Sequence, residues 1–456
     1  MALPYIAYDP VADRPAPRRY AWSVFAILFA LMVVDYVDRQ VVVSMFPHLK
    51  AYWDLSDSQL GGLVSIVSIT VALGAVPLSL LADRWSRVKS IFLMVLIWSL
   101  ACISCAFATS YWQLLGARGV VGMGEAAYGT VGAALLATLF PLRMRSTVLG
   151  GFFAAATMGS VLGVMLGGFI AERWGWQAGF GAVGVPGLLL CFVFLLIVRD
   201  YKTVALPSRM QPGHKPKTAT RTRGRGRLRK LITALSPVIA ELRRPRTALL
   251  ACIGAGFNLL VVSTTWAWLP SFFNRYYGLA PDQAGVKTAL VVLAGGVGTL
   301  LWSVVADRLM SRLPRARLQV PAVTAILTAV FMITAFAILP PGNAQFALII
   351  AGSLMMTGSV GTVDAVVIDV MHPSVRATAA SILSLMRNLF GLAAGPLLAG
   401  ALSDAYGLPF AMSVIPLVCF VAAALYMLAA RSYESDLKNV DTVTPARAGG
   451  LEPQAA

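Results

Sequence analysis

The sequence predicts an all-α membrane protein, twelve transmembrane helices arranged as two six-helix bundles, and three observations carry that prediction. Only 12% of the 456 residues are charged, 58% are hydrophobic, and the mean hydropathy is +0.75. A soluble chain of this length needs about a quarter of its residues charged to cover its surface, so most of this exterior faces lipid. Twelve apolar runs, each long enough to cross about 30 Å of hydrocarbon, alternate with short polar turns. The last six runs also repeat the first six.

The runs, numbered here as spans 1 to 12, fall near residues 20–46, 57–82, 90–108, 112–140, 146–171, 178–198, 247–273, 281–306, 318–339, 345–371, 376–402 and 409–430. An even count puts both ends of the chain on one side. The division is a tail (1–19), a six-helix bundle (20–198), a basic linker (199–246), a second bundle (247–430) and a second tail (431–456). The first tail is polar, holds Pro4, Pro10, Pro15 and Pro17, and leads into a run too long and too charged for a signal-peptide core, so no cleavage is expected.

The net charge of +17 is distributed unevenly. Of the 37 Lys and Arg, Lys50, Arg173, Arg275 and Lys287 fall on the side away from the tails, and Arg39, Arg118 and Arg387 lie within spans; the rest sit with the tails and even-numbered connections. The positive-inside rule then predicts cytoplasmic termini in a plasma (inner) membrane. The linker alone carries 14 Lys and Arg against Asp200 and Glu241. Its run RTRGRGRLRK (221–230) suits anionic lipid better than nucleic acid, which is not expected as a partner. Leu228, Leu231, Ile232, Leu235, Ile239 and Leu242 recur at helical spacing there and predict a helix lying along the inner membrane surface.

The repeat is checkable by offset. Gln59, Gly61 and Ala82-Asp83-Arg84 of span 2 recur 224 residues later as Gln283, Gly285 and Ala306-Asp307-Arg308 of span 8. Gly159, Gly163, Gly168, Pro141 and Gly175 recur 232 residues later as Gly391, Gly395, Gly400, Pro373 and Gly407. Two equivalent bundles in the same orientation place a substrate site at their interface near the bilayer midplane, where they can rock around it.

The loop motifs give a family likeness. SLLADRWSRVK (79–89), its copy SVVADRLMSR (303–312), RGVVGMG (118–124) and the glycines Gly159, Gly163, Gly167 and Gly168 resemble the major facilitator superfamily over nearly the whole chain outside tails and linker. The glycine spacing is antiporter-like but lacks the usual proline, and Pro396 takes the corresponding place in span 11. DYVDRQ (35–40), RGVVGMGEAAYG (118–129) and RNLFGLAAGPLLAGALSD (387–404) look like the spinster-type branch. That resemblance implies the major facilitator fold and proton-coupled secondary transport, by alternating access, of lysophospholipid- or sphingolipid-like amphiphiles. The branch commonly shows Asn where this chain has Asp35. Organic-anion symporters of the same superfamily share the Tyr-x-Asp-Arg segment, so an organic anion or drug is the alternative substrate, and a non-transporting scaffold or sensor is the alternative outside transport.

Charges at bilayer depth are expensive and usually functional. Asp35, Asp38, Glu125, Asp364 and Asp369 against Arg39, Arg118 and Arg387 leave a deficit of two positive charges, which binding protons would remove. At about 1.5 Å per residue, Asp38 lies roughly 12 Å and Arg118 roughly 9 Å from the outer ends of spans 1 and 4, within reach of each other. Asp35 and Arg39 stand at i and i+4, Glu125 two turns below Arg118 and Tyr128 one turn further. Asp35, Asp38, Arg39, Arg118 and Glu125 are therefore the predicted proton-coupling set, with Asp38 and Glu125 trading between arginines and a proton. The alternative is a static ion-pair cluster orienting spans 1 and 4.

Tyr128, Asn258, Thr265, Trp266, Trp268, Asp364, Arg387 and Asn388 are the predicted substrate residues, Arg387 facing an anionic headgroup or else Asp364. A gate at the cytoplasmic mouth is predicted from Asp83, Arg84, Arg87, Arg145, Asp307, Arg308, Asp369 and Arg376, with Asp369 near Arg376. The five cysteines lie in apolar runs without metal-spaced neighbours and read as packing residues. Gly122, Gly124 and Gly129 mimic a dinucleotide fingerprint with no strand before them, so close helix packing explains them. No nucleophile elbow, phosphate loop or metal-spaced His is present; no enzyme, cofactor or metal is expected. A monomer in contact with membrane lipids is.

Overall fold

The computed structural model describes residues 17–140, 142–199, 245–371 and 376–441, and these form helices and no strand. Among the described residues, eleven helices are long and apolar enough to cross a membrane. One of them runs over Thr147–Ile197, 51 residues, and at about 1.5 Å per residue it is more than twice as long as a bilayer core is thick. It turns back at Gly175, whose φ of 80° is a left-handed conformation that glycine adopts without a Cβ penalty. Counting that helix as two gives twelve spans.

Span 1 is Arg18–Ser44, followed by a short helix, Phe46–Trp53. Span 2 is Asp57–Arg84, span 3 Arg87–Cys105, and span 4 consists of Tyr111–Glu125 and Tyr128–Leu139. Spans 5 and 6 share Leu142–Ile197. Span 7 is Arg246–Tyr277, span 8 Pro281–Leu309, and span 9 Ala316–Ile333 with a π turn, Thr334–Ile338. Span 10 comprises Asn343–Met356 and Val360–Asp369. Span 11 runs through Arg376–Met386, a π turn Arg387–Ala393, and Ala394–Tyr406; span 12 is Leu408–Val414 and Val418–Asp441, joined by Ile415–Leu417.

Local sequence explains the starts. Ser56 forms a capping box with Gln59 at the head of span 2, while Ser86 and Ser110 accept from the backbone of Lys89 and Gln113 to open spans 3 and 4. Spans 4 and 10 break in mid-membrane, at 126–127 and 357–359, two places that the 232-residue offset superimposes. Non-helical backbone survives at that depth only where protein or a cavity satisfies it.

The repeat offsets also locate the seam between the bundles. A Cβ on Gly61 of span 2 would strike the backbone of Pro396 in span 11, and one on Gly285 of span 8 would strike Val164 in span 5. Those contacts are one contact seen twice, since Gly61 maps to Gly285 by 224 and Val164 to Pro396 by 232. Gly400 against Asp57 and Gly168 against Pro281 are a second such pair. Gly407 repeats Gly175, with φ 86°. A pseudo-twofold therefore relates the bundles, and the contacts lie toward the face away from the start of span 1, called the far face below; the opposite one is the tail face.

The basic linker and its predicted surface helix, residues 200–244, lie outside the described residues. So do the first tail to residue 16, residues 442–456, Pro141 and Pro373, and the side chains of Asp83, Arg84, Arg145 and Arg376.

Candidate functional site

Span 1 is held in place by a glycine stripe. Gly159, Gly163 and Gly167 of span 5 press against the backbone of Val33, Val37 and Val41, so closely that a Cβ at any of them would overlap it. That contact fixes the rotation of span 1, and with it the direction of the charges it carries.

Asp38 points between spans 3 and 4. Arg118 Nη1 donates to its Oδ2 at 2.6 Å, and both side chains are sealed from solvent. The Cys102 thiol of span 3 donates to the other oxygen at 3.0 Å and also lies 3.4 Å from the Phe180 carbonyl of span 6. Both carboxylate oxygens are thus occupied. The Asp38–Arg118 pair is formally neutral and ties spans 1, 3 and 4 together.

Asp35 and Arg39 lie on another face of span 1. Arg39 Nε is 3.4 Å from Asp35 Oδ1, and its Nη2 is 2.8 Å from Glu125 Oε2, at the end of the first half of span 4. Asp35 and Glu125 thus flank one guanidinium from two different spans. They line one small cavity together with Trp98 and Tyr128, whose hydroxyl donates to the Leu28 carbonyl at 2.7 Å. Two acids and one guanidinium leave this triad with a formal charge of −1.

In the second bundle Arg387 opens the π turn of span 11. Its Nη1 donates to Asp364 Oδ1 at 2.7 Å and its Nη2 to the Val360 carbonyl at 3.0 Å. Asn258 accepts from Ser359 at 2.8 Å, and Asn388 is partly buried, donating to the Ser384 carbonyl at 2.9 Å. Thr265 is buried, and Trp266 packs over Gly295. Trp268 is buried in the seam: its indole donates to the Pro396 carbonyl at 3.1 Å, and its ring lies 5.3 Å from that of Phe46 in the other bundle. The predicted substrate residues thus divide, with Trp268 in the bundle contact and Asp364, Arg387 and Asn388 together on spans 10 and 11.

At the tail face the structure brings Asp307 and Asp369 onto one cation that the sequence reading missed. Arg317, at the head of span 9, lies 2.8 Å from Asp307 and 2.5 Å from Asp369, while Arg308 is exposed and Arg87 partly buried. Asp369 therefore shares its cation with Asp307, within its own bundle. Also missed was a cluster at the far face, Lys50, Asp57, Arg275, Ser403 and Asp404. A signal existed: Lys50, Arg173, Arg275 and Lys287 stand against the positive-inside bias, and each has a reason to. Arg173 sits over Phe169 at 4.1 Å, Lys287 over Tyr277 and Phe346 at 4.9 Å, and the other two bind Asp57.

Comparison with known proteins agrees with this architecture. The family model of the Major Facilitator Superfamily matches residues 28–394 and 251–449. "Protein spinster homolog 1" of Xenopus tropicalis is 26% identical, over 93% of this chain and 83% of its own. "Gallate transporter" of Pseudomonas putida is 28% identical, over 92% and 94%. The crystal structure of a bacterial homologue of the human lysosomal transporter Spinster, inward-facing and unoccupied, superposes with a TM-score of 0.79 at 22% identity, covering 92% of this chain and 99% of that one. The chain belongs to the Major Facilitator Superfamily, as a spinster-like transporter.

Proposed function

We propose that this transporter couples movement of lysophospholipid- or sphingolipid-like amphiphiles to one proton, by alternating access, with both termini in the cytoplasm. The observation that carries the reading is the buried triad of Asp35, Arg39 and Glu125. Of the five intramembrane acids, Asp38 is matched by Arg118 and Asp364 by Arg387, while Asp369 shares Arg317 with Asp307, whose exposed carboxylate is solvated at the mouth. One uncompensated negative charge is left, at the triad, and a single proton cancels it.

Glu125 meets Arg39 across the gap between spans 1 and 4. Any movement that draws the two apart removes the cation from a buried carboxylate, which then holds its proton; movement back returns the cation and releases it. The neighbouring pair of Asp38 and Arg118, closed on both oxygens by Cys102 and the guanidinium, gives span 1 a fixed pivot for that exchange. This divides the five residues into a pivot and a carrier. The bundles at 20–198 and 247–430 are the moving bodies of a monomer, and the basic linker is their anchor on inner-leaflet lipid.

A second substrate reading has its own support. Gallate is an aromatic carboxylate, and the named gallate transporter matches this chain over nearly its full length. Arg387 offers a guanidinium to such an anion once Asp364 lets go. Liposomes reconstituted in parallel with labelled lysophospholipid and with gallate, under an imposed pH gradient, discriminate the two: pH-driven flux of the lipid supports the first reading, of gallate the second, and of neither contradicts both.

A further inference from the structure

Away from the charged site, the far face carries a polar cluster that joins the two bundles. Asp57, the first residue of span 2, is buried and receives four donors. Arg275, at the end of span 7 in the other bundle, binds it with two nitrogens, at 2.6 and 2.7 Å. Lys50 adds a contact at 2.5 Å, and the Ser403 hydroxyl of span 11 donates at 2.5 Å. The next residue of span 11 completes the arrangement: Asp404 accepts from the backbone N–H of Asp57 at 2.7 Å and of Ser58 at 2.8 Å, and from the Ser58 hydroxyl. A helix start normally has its free N–H groups capped by its own chain neighbours. Here the Ser56 capping box takes the Gln59 N–H, and a carboxylate from the opposite bundle caps those of Asp57 and Ser58, with the favourable helix dipole added.

The pseudo-twofold shows that this is not the default of the fold. The equivalent of Asp57 is Pro281, which has no N–H to donate, and the equivalent of Asp404 is Glu172, which instead stands 3.7 Å from His48. Spans 5 and 8 therefore meet at this end by close backbone packing, with no carboxylate cap. Spans 2 and 11 meet there by packing and by charge.

We propose that Asp57, Arg275 and the in-trans cap by Asp404 form a lock on one side of the pseudo-twofold that holds the far face closed, and whose rupture is required for that face to open. The lock rests on the alternating-access reading for its role in transport, although its geometry does not depend on the substrate. Its bonds are charge-assisted and partly sheltered, the class whose loss shifts an equilibrium on the order of tenfold or more.

The test reads the distance across the far face directly, in the full chain in lipid nanodiscs. Spin labels go on Ala51→Cys and Ala344→Cys, two exposed positions at that face on different bundles; the five native cysteines are buried and leave those sites selective. The unlocked protein is expected to gain a longer-distance population, about tenfold enriched in Asp404→Ala and in Arg275→Gln. Asp404→Asn keeps one acceptor oxygen, so it should fall between, and it decides the matter if either of the others fails to fold. Unchanged distance distributions in these variants overturn the lock. Because the distances are read without substrate, a shift in them together with absent pH-driven flux in the wild type would contradict the transport reading and leave the lock standing.

Discussion

Asp38 and Arg118 show how a buried pair constrains the residues around it. Their attraction offsets the cost of removing both charges from water, and removing one partner leaves the other stranded. Arg118→Leu is expected to lower stability by about 3–5 kcal/mol, measured by thermal unfolding in detergent, and Asp38→Asn on that background should recover most of the loss. A loss in the double variant as large as in the single one would mean that the pair is not what Arg118 does. The sequence made this pair legible, because two depths counted at the helical rise placed both residues at one level. Cys102 was not legible in the same way: it read as a packing residue, and a thiol donating to a carboxylate leaves no pattern in an apolar run. Arg317 escaped for a different reason. It stands among loop arginines that the positive-inside rule already explains, so nothing marked it as the partner of Asp369.

Glycines place whole elements more than single atoms. At Gly163 an added Cβ would sit 2.7 Å from the Val37 carbonyl oxygen, whereas at Gly150, on the same helix, nothing lies within 4 Å. Gly163→Ala is therefore expected to destabilise by about 1–3 kcal/mol through overpacking against span 1. Gly150→Ala should be neutral or stabilising by up to about 1 kcal/mol, since alanine is the better helix former. Unfolding midpoints of the two variants check this, and equal shifts would contradict the packing account. The turns at Gly175 and Gly407 were marked by the repeat offset. The π turns of spans 9 and 11 were not, because a shift of the hydrogen-bond pattern by one residue is set by packing between helices and leaves the hydrophobic period almost unchanged. One consequence reaches the site, since Arg387 opens such a turn.

At the scale of the whole molecule, the offsets of 224 and 232 found in the sequence turn out to be the symmetry of the seam. Twelve spans, two bundles and their relation were all legible because lipid imposes length, polarity and closure on any chain that crosses it. Which partners the charges choose was only partly legible, since pairing depends on helix rotation, and rotation is set by the glycine contacts. The deficit of two positive charges counted along the sequence becomes a deficit of one at bilayer depth, once Arg317 is seen to bridge Asp369 and the exposed Asp307 at the mouth. That remaining charge, at Asp35, Arg39 and Glu125, is the center of the account. The most direct measurement is the number of protons moved per substrate, from the reversal of flux in proteoliposomes at set pH and substrate gradients. One is predicted for the wild type, and substrate exchange without proton coupling in Glu125→Gln, whose triad is left with one carboxylate and one guanidinium and needs no proton to be neutral. Coupling that survives unchanged in Glu125→Gln and in Asp35→Asn would contradict it.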